Sequence, residues 1–172
     1  MPENNQQAQF ILRPMTLADL DQVIAIDRAS FPSPWPRDAY LHELKRGRKS
    51  VCWVVEQAAA GGQRQILASI VIWLAANKAH IGTLAVKPGY RGQKIAQKLL
   101  ALTLLECHQR GARQVLLEVR QSNQAAQNLY RKFGFEAMGL RKDYYKDTRE
   151  DAVLMTLEVL NQENLAQLAQ GG

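Results

Sequence analysis

One segment, residues 80–109, constrains the fold of this chain most, because a strand, a glycine loop and a long helix follow one another there without a break. Residues 80–86 read as a strand that stops before Pro88, and apolar residues at helical spacing predict a helix over residues 93–109. A helix that begins directly after a strand directs free backbone N–H groups, and the positive end of its dipole, at one point. The segment therefore predicts an anion-binding site at the start of the helix.

The loop of this segment adds glycines and positive charge to that site. Gly89 and Gly92 allow a tight turn, and Arg91 and Lys94 each add a full positive charge. A pyrophosphate is the natural occupant of such a loop. When the loop is considered alone, an ordinary strand-to-helix connection with basic residues is an equal alternative.

The rest of the chain alternates strand-like and helix-like segments, with no repeat and no internal boundary. Three prolines in residues 32–36 stop the first helix, and Gly111 and Gly134 stop two later ones. The predicted strands cover residues 10–13, 51–56, 65–75, 80–86, 115–119, 135–140 and 152–160, and the predicted helices cover residues 16–29, 37–45, 93–109 and 123–133. We expect a mixed α/β single domain over residues 10–160, with polar tails at residues 1–9 and 161–172. The second of these tails could also be a frayed helix.

Composition argues against several classes of protein. No apolar run approaches the ~20 residues that span a bilayer, and the first ten residues lack the basic start and apolar stretch of a secretory signal. We therefore expect a cytosolic protein with no membrane partner. The two cysteines, Cys52 and Cys107, are expected to be buried thiols in a reducing compartment. The three histidines show no ligand spacing with the cysteines, so no metal site is expected: His42, His80 and His108.

The formal charge of +6 favours a polyanionic partner, which could be nucleic acid, a ribosomal surface or a phosphate-rich cofactor. Charge alone does not separate these. The basic residues form no long tract, and the densest cluster, residues 45–49, is typical of a solvated helix end. We expect no direct nucleic-acid role.

A second group of polar residues follows the strand at residues 115–119. Glu118 lies at the strand end, and Asn123 and Tyr130 are seven residues apart on the next helix, so that they share one helix face. Taken alone, Glu118 could pair with Arg120 or a lysine, and Tyr130 could be a core aromatic.

Together, the two segments resemble the GNAT superfamily of acyl-CoA N-acetyltransferases, over residues 10–160. More narrowly, the chain is similar to the bacterial ribosomal-protein N-terminal alanine acetyltransferases. The motifs that carry the resemblance are Pro34-Trp35, Leu84-Ala85-Val86, the loop around Arg91, Leu117-Glu118-Val119-Arg120 with Ser122-Asn123, Leu129-Tyr130, Gly134-Phe135, Tyr144-Tyr145 and Glu150-Asp151-Ala152 with Met155. The resemblance implies a mostly antiparallel twisted sheet of about seven strands, flanked by about four helices.

The resemblance also implies a role for individual residues, with acetyl-CoA as the cosubstrate. Glu118 is the implied proton acceptor and Tyr130 the implied proton donor. The backbone at Leu84, Ala85 and Val86 holds the acetyl and pantetheine arm, with the Val86 amide facing the thioester oxygen. The implied pyrophosphate loop consists of Arg91, Gly92, Gln93, Lys94, Ile95, Ala96 and Gln97, and Asn123 also contacts the cofactor. The implied peptide groove is framed by Pro34, Trp35, Tyr144 and Tyr145.

The loop departs from the family pattern at one position. That pattern reads Gln or Arg, two residues, Gly, any residue, then Gly or Ala. Arg91 and Ala96 fit it, whereas Lys94 stands at the first glycine. Glycine is expected there because it allows a close backbone approach to phosphate, and the lysine charge compensates for its loss.

The implied reaction is direct attack of a neutral amine on a thioester, and the resemblance favours the N-terminal α-amine of a protein, including a ribosomal one. An α-amine has a pKa of about 7.7–8.0, so roughly a tenth to a sixth of it is neutral at pH 7, against about one lysine amine in 2,500. An unperturbed glutamate with a pKa near 4.3 accepts such a proton uphill by about 5 kcal/mol. We therefore expect either that burial raises the pKa of Glu118 or that a water relays the proton.

Two alternatives belong to other classes of function. One is acetylation of lysine or of a small amine, which requires acidic residues that recognise a second cation. The other is a non-catalytic acyl-CoA-binding module on the same fold. The presence of both Glu118 and Tyr130 argues against the second alternative.

Overall fold

A computed structural model describes residues 10–171, which form seven strands and five α-helices around one sheet. The strands are β1 (Phe10–Pro14), β2 (Ser50–Ala58), β3 (Arg64–Ala75), β4 (Lys78–Val86), β5 (Gln114–Arg120), β6 (Glu136–Tyr145) and β7 (Glu150–Leu157). The helices are α1 (Leu20–Ser30), α2 (Arg37–Lys45), α3 (Ile95–Gln109), α4 (Gln124–Lys132) and α5 (Gln162–Ala169).

The sheet has the strand order β1-β2-β3-β4-β5-β7-β6. Every neighbouring pair is antiparallel except β4 and β5, which are parallel and joined through α3. These two strands pair only where Lys78–Ile81 faces Gln114–Leu117, and beyond that point they separate. The sheet therefore opens between the carboxyl ends of its two central parallel strands.

Two hydrophobic clusters pack against the sheet, and each belongs to different helices. The larger contains the apolar positions of α3 and α5, such as Leu99, Leu104 and Leu165. The smaller contains those of α1 and α2, such as Leu20 and Tyr40.

The predicted mixed α/β fold is confirmed, with seven strands in a mostly antiparallel sheet, and α2 spans the predicted residues 37–45. The prediction of about four helices misses α5. The segment at residues 161–172, expected as a polar tail or a frayed helix, forms α5 over Gln162–Ala169, and its buried Leu165 and Leu168 pack it against α3. The tail expected at residues 1–9 lies outside the described residues. Within residues 10–171, no helix is long and apolar enough to cross a membrane.

Candidate active site

The opening between β4 and β5 leads into two connected spaces. The long cleft, about 830 Å³, runs from the start of α3 along the end of β4 to α4. The small pocket, about 140 Å³, lies between the strands themselves and is lined by Trp35, Gly82, Glu118 and Tyr145 among others. Leu84, Asn123 and Tyr130 line both spaces, so a group bound in one meets a group bound in the other at these residues.

The long cleft collects the residues predicted to hold acetyl-CoA. All of them line it except Gln93: Leu84, Ala85, Val86, Arg91, Gly92, Lys94, Ile95, Ala96, Gln97 and Asn123. The Lys98 N–H donates to the Lys94 carbonyl and makes the first i→i−4 hydrogen bond of α3. The N–H groups of the first turn lie before this bond, at the start of the helix. A cationic loop at such a helix start fits a pyrophosphate.

The Arg91 side chain ties this loop to the rest of the cleft. Its Nε donates to the Val86 carbonyl at 3.1 Å, and its Nη2 donates to the Ser30 hydroxyl at 3.1 Å. The guanidinium therefore holds together the end of β4, the end of α1 and the loop before α3.

Lys94 explains why the family pattern has glycine at its position. Its backbone has φ +58° and ψ +16°. Residues with a Cβ adopt this left-handed conformation only at a cost in conformational energy. Glycine is therefore favoured at this position for two reasons. One is the close approach of backbone to phosphate expected from sequence, and the other is the positive φ directly before α3. The Lys94 ammonium donates to the Gly171 carbonyl at 2.8 Å, which links the loop to the end of the chain's last helix.

Glu118 lies at the centre of the opening and contacts His80. The carboxylate Oε2 and the His80 Nε2 are 2.5 Å apart, and the Arg141 Nη1 lies 3.7 Å from Oε1. The Glu118 side chain is 15% exposed, so it can still meet a ligand in the small pocket. Because an ionised carboxylate only accepts hydrogen bonds, His80 carries the proton on Nε2.

These partners lower the pKa of Glu118. The hydrogen bond from His80 is the main cause, and the charge of Arg141 acts in the same direction, whereas burial opposes both. Of the two possibilities expected from sequence, a net rise of this pKa through burial is therefore contradicted, whereas a water that relays the proton stays a prediction. The Arg120 pairing considered from sequence is also absent, since Arg120 instead contacts Asp147 and Glu150.

Tyr130 belongs to the core and also reaches the site. The residue is 6% exposed and packs against Phe135, with ring centroids 5.5 Å apart. Burial raises the pKa of its phenol, so the hydroxyl keeps its proton at neutral pH. Tyr130 lines both spaces, which brings it to the point where the long cleft meets the small pocket.

Asn123 has a structural task as well as a place in the cleft. Its side-chain oxygen accepts from the Ala126 N–H at 3.1 Å and caps α4, the helix that carries Tyr130.

Only two of the four residues predicted to frame the peptide groove line the small pocket, Trp35 and Tyr145. Pro34 and Tyr144 lie beside it and are not part of its lining. The Tyr144 ring is 40% exposed and sits 5.8 Å from the Arg141 guanidinium. Phe31 and Ser33, which sequence reasoning did not select, complete the wall next to Trp35.

Hydrogen bonds between polar side chains link two segments beside the small pocket. The Ser33 hydroxyl donates to Asp147 at 2.8 Å, and the Arg120 Nη2 donates to the same carboxylate at 2.9 Å. The Arg120 guanidinium also covers the Tyr145 ring, 3.9 Å from its centroid. The loop after α1 and the turn between β6 and β7 thus meet over the site.

His80 is the main site residue that sequence reasoning missed. The sequence shows it only as a histidine without metal-ligand spacing. The sequence carried no signal for this role, because the contact of His80 with Glu118 depends on which strands are neighbours and on where their pairing stops.

Comparisons with known proteins agree with this geometry. A model of the acetyltransferase (GNAT) family matches residues 20–135. A putative [ribosomal protein bS18]-alanine N-acetyltransferase of Bacillus subtilis is 38% identical over 86% of this chain and 95% of its own length. An N-alpha-acetyltransferase of Saccharolobus solfataricus is 30% identical over 90% and 96%. The crystal structure of the ribosomal-protein-S18-alanine N-acetyltransferase from Escherichia coli matches with a TM-score of 0.75 and 27% identity, over 91% of this chain and 98% of that one.

Proposed function

The chain belongs to the acetyltransferase (GNAT) family, and we propose from this membership and from the site that it transfers the acetyl group of acetyl-CoA to the N-terminal α-amine of a protein. The observation that carries the proposal is the position of Glu118, a carboxylate in a small pocket that opens onto the long cleft at Tyr130. The two spaces suit two substrates that react where they meet.

The long cleft holds acetyl-CoA, which supplies the acetyl group as a thioester. The start of α3 and the Arg91 loop bind its pyrophosphate. Leu84, Ala85 and Val86 lie beyond the last paired residue of β4 and β5, so this part of the strand can offer backbone groups to the acetyl and pantetheine arm. The Val86 amide stabilises negative charge that develops on the thioester oxygen.

The small pocket receives the amine, and Glu118 accepts its proton. Since the pKa of Glu118 is lowered, its carboxylate is ionised at neutral pH and attracts an ammonium group. The same lowering makes direct removal of a proton held near pH 8 more costly, so the proton passes to Glu118 through a water. Tyr130 keeps its proton and stabilises the leaving sulfur by a hydrogen bond.

Trp35 and Tyr145 frame the entrance for the first residue of the peptide. The pocket has a volume of only about 140 Å³. It therefore suits the α-amine of a first residue with a short side chain better than that of a branched or aromatic one. Because the putative relative of Bacillus subtilis and the one of Escherichia coli are named as alanine N-acetyltransferases of a ribosomal S18 protein, we propose a ribosomal protein with an N-terminal alanine as the substrate. The cytosolic location inferred from sequence stays a prediction.

The test uses two matched peptides that start with alanine and contain one internal lysine. One has a free N-terminus and the other a chemically blocked one. We expect acetyl transfer to the free peptide alone, measured by mass spectrometry and thiol release. Robust acetylation of the blocked peptide would overturn the N-terminal assignment and leave an acetyltransferase of lysine. A ribosomal-protein fraction with labelled acetyl-CoA then identifies the natural terminus.

A further inference from the structure

Two indole rings, those of Trp35 and Trp73, pack on a glycine beside the small pocket, and of the two only Trp35 lines it. The pairing between β4 and β5 ends at Ile81 and Leu117, and the next residue on each strand is Gly82 and Glu118. Both of these residues line the small pocket. A Cβ at Gly82 would come within 2.3 Å of Trp73 Cζ3 and 2.9 Å of Trp35 Cζ2. The indoles therefore fill the space that any side chain at residue 82 would need.

Trp73 lies between Trp35 and His80. Its ring stacks on Trp35 with centroids 6.2 Å apart and an angle of 23°. On the other side it contacts the His80 imidazole, with centroids 4.6 Å apart and an angle of 51°. Trp73 and His80 are also direct cross-strand neighbours in the β3–β4 pair.

This stack is fixed at its far end by a buried carboxylate. The backbone N–H of Trp35 donates to Asp27 Oδ2 at 3.1 Å, and Asp27 is fully buried near the end of α1. At its near end the stack meets an imidazole that is 27% exposed and whose Nε2 is 2.5 Å from Glu118. Without the indole beside it, this imidazole would have room to turn away from the carboxylate, because one side of the ring is open to solvent.

We propose that Trp73 is a positioning residue of the acetyl transfer: its indole, seated on Gly82, holds the His80 imidazole against Glu118. The inference rests on the proposed function, since it assigns Trp73 a task only if Glu118 accepts the proton of the amine. Trp73 itself does not line the small pocket, so it acts through His80 and not on the substrate. Gly82 and Trp73 form a complementary pair in this arrangement, because the missing side chain of one makes room for the ring of the other.

The pH dependence of the reaction reports on this task. Besides His80 on β4, the charged and titratable groups around Glu118 are Arg141, Tyr144 and Tyr145 on β6. Of these groups, His80 lowers the pKa of Glu118 most. A variant that releases His80 therefore moves the lower break of the kcat/KM profile, which follows Glu118, to higher pH. A merely structural role of Trp73 would leave that break in place.

The experiment compares Trp73→Phe with Trp53→Phe, a matched loss of an indole on β2, where Trp53 packs against the larger cluster. We expect Trp73→Phe to lower kcat by roughly tenfold to a hundredfold, with the KM for acetyl-CoA nearly unchanged, because a misplacement of about 1 Å can cost about 10²-fold. The lower break should move to higher pH in Trp73→Phe and stay in place in Trp53→Phe. Thermal unfolding of both variants measures any common loss of stability.

Two further variants make the result decisive. In a His80→Ala background, Trp73→Phe should have little additional effect on kcat, because the residue through which it acts is gone. Gly82→Ala should reproduce the loss by displacing the indole, and the smaller ring of Trp73→Phe should partly restore it. An unmoved break in Trp73→Phe, or an equal loss of kcat with and without His80, would overturn the inference. Glu118→Gln is assayed alongside: a variant as active as the parent would remove Glu118 as the proton acceptor and with it the task of Trp73, whereas a parent that is inactive on the peptide with a free N-terminus would contradict the proposed function itself.

Discussion

At the scale of single residues, the site separates two tasks between two acids of very different strength. Glu118 has a lowered pKa, caused first by the hydrogen bond from His80, and Tyr130 has a raised one, caused first by burial. At neutral pH the first is therefore charged and accepts protons, and the second is neutral and donates hydrogen bonds. These two protonation states fit the roles that we propose, proton acceptor for Glu118 and hydrogen-bond donor for Tyr130.

Tyr130→Phe tests the second role. The substitution removes only a hydroxyl from a ring that is otherwise packed in the core, so the fold and the affinity for acetyl-CoA should be kept. We expect kcat to fall by roughly 10²–10⁴, because the hydrogen bond strengthens only as the sulfur gains charge. Steady-state kinetics and a thermal unfolding curve check this. An unchanged kcat in the folded variant would leave Tyr130 with a packing role alone.

Lys94 allows backbone strain to be separated from charge. Lys94→Ala and Lys94→Gly both remove the ammonium and its bond to the Gly171 carbonyl, but only glycine relieves the left-handed backbone. We expect Lys94→Gly to be more stable than Lys94→Ala by about 1 kcal/mol in denaturant unfolding. Both should weaken acetyl-CoA binding alike, by about 1–2 kcal/mol, if the ammonium contacts phosphate in the complex. Equal stability of the two variants would contradict the role of the positive φ.

At the scale of elements, α1 carries a buried acid that faces the central strands. Asp27 Oδ1 and the hydroxyls of Tyr40 and Thr83 are buried close to one another, and none of the three makes a hydrogen bond of good geometry, although both hydroxyls act to lower the pKa of Asp27. Burial raises the pKa of Asp27, so the folded state holds its proton more strongly than the unfolded chain does. This acid therefore lowers stability as the pH rises from its unfolded pKa, near 3.9, to its higher folded one.

Asp27→Asn tests this linkage. The amide oxygen can still accept from the Trp35 N–H, and its NH₂ group can donate to the two hydroxyls. We expect the variant to gain stability relative to the parent as the pH is raised from about 3.5 to 8, measured as the free energy of unfolding in urea. A difference between the two proteins that is the same at every pH would show that Asp27 does not titrate across this range.

Element boundaries were predictable where proline and glycine mark them. The three prolines of residues 32–36 set the start of α2 at Arg37, and Gly134 follows α4 closely. The start of α3 lies at Ile95, two residues later than predicted, because Lys94 takes a left-handed conformation. A lysine at this position does not predict such a conformation. α5 was missed because its two buried leucines are too few to predict a helix, and its stability comes from packing on α3.

At the scale of the whole molecule, the candidate site is formed where β4 and β5 separate. Glu118, Tyr130 and the α3 loop were identified through a family resemblance, and the structure brings them to the walls of two connected spaces. The contact of His80 with Glu118 was out of reach, because it depends on which strands are neighbours and on where their pairing stops. The contact between Trp73 and Gly82 likewise could not be predicted, because it depends on the register of β3 against β4.

The pH–rate profile of Glu118→Gln beside the parent tests the central claim most directly, on a peptide with a free N-terminal alanine. Glutamine keeps an oxygen that can accept from His80, so the variant changes the proton acceptor and little else. At pH 7, where about a tenth of the α-amine is neutral, we expect activity to fall by roughly 10²–10⁴. By pH 9 solvent has deprotonated most of the amine, and the variant should regain much of the parent rate. A loss that stays the same from pH 7 to pH 9, or no loss at pH 7, would contradict proton acceptance by Glu118.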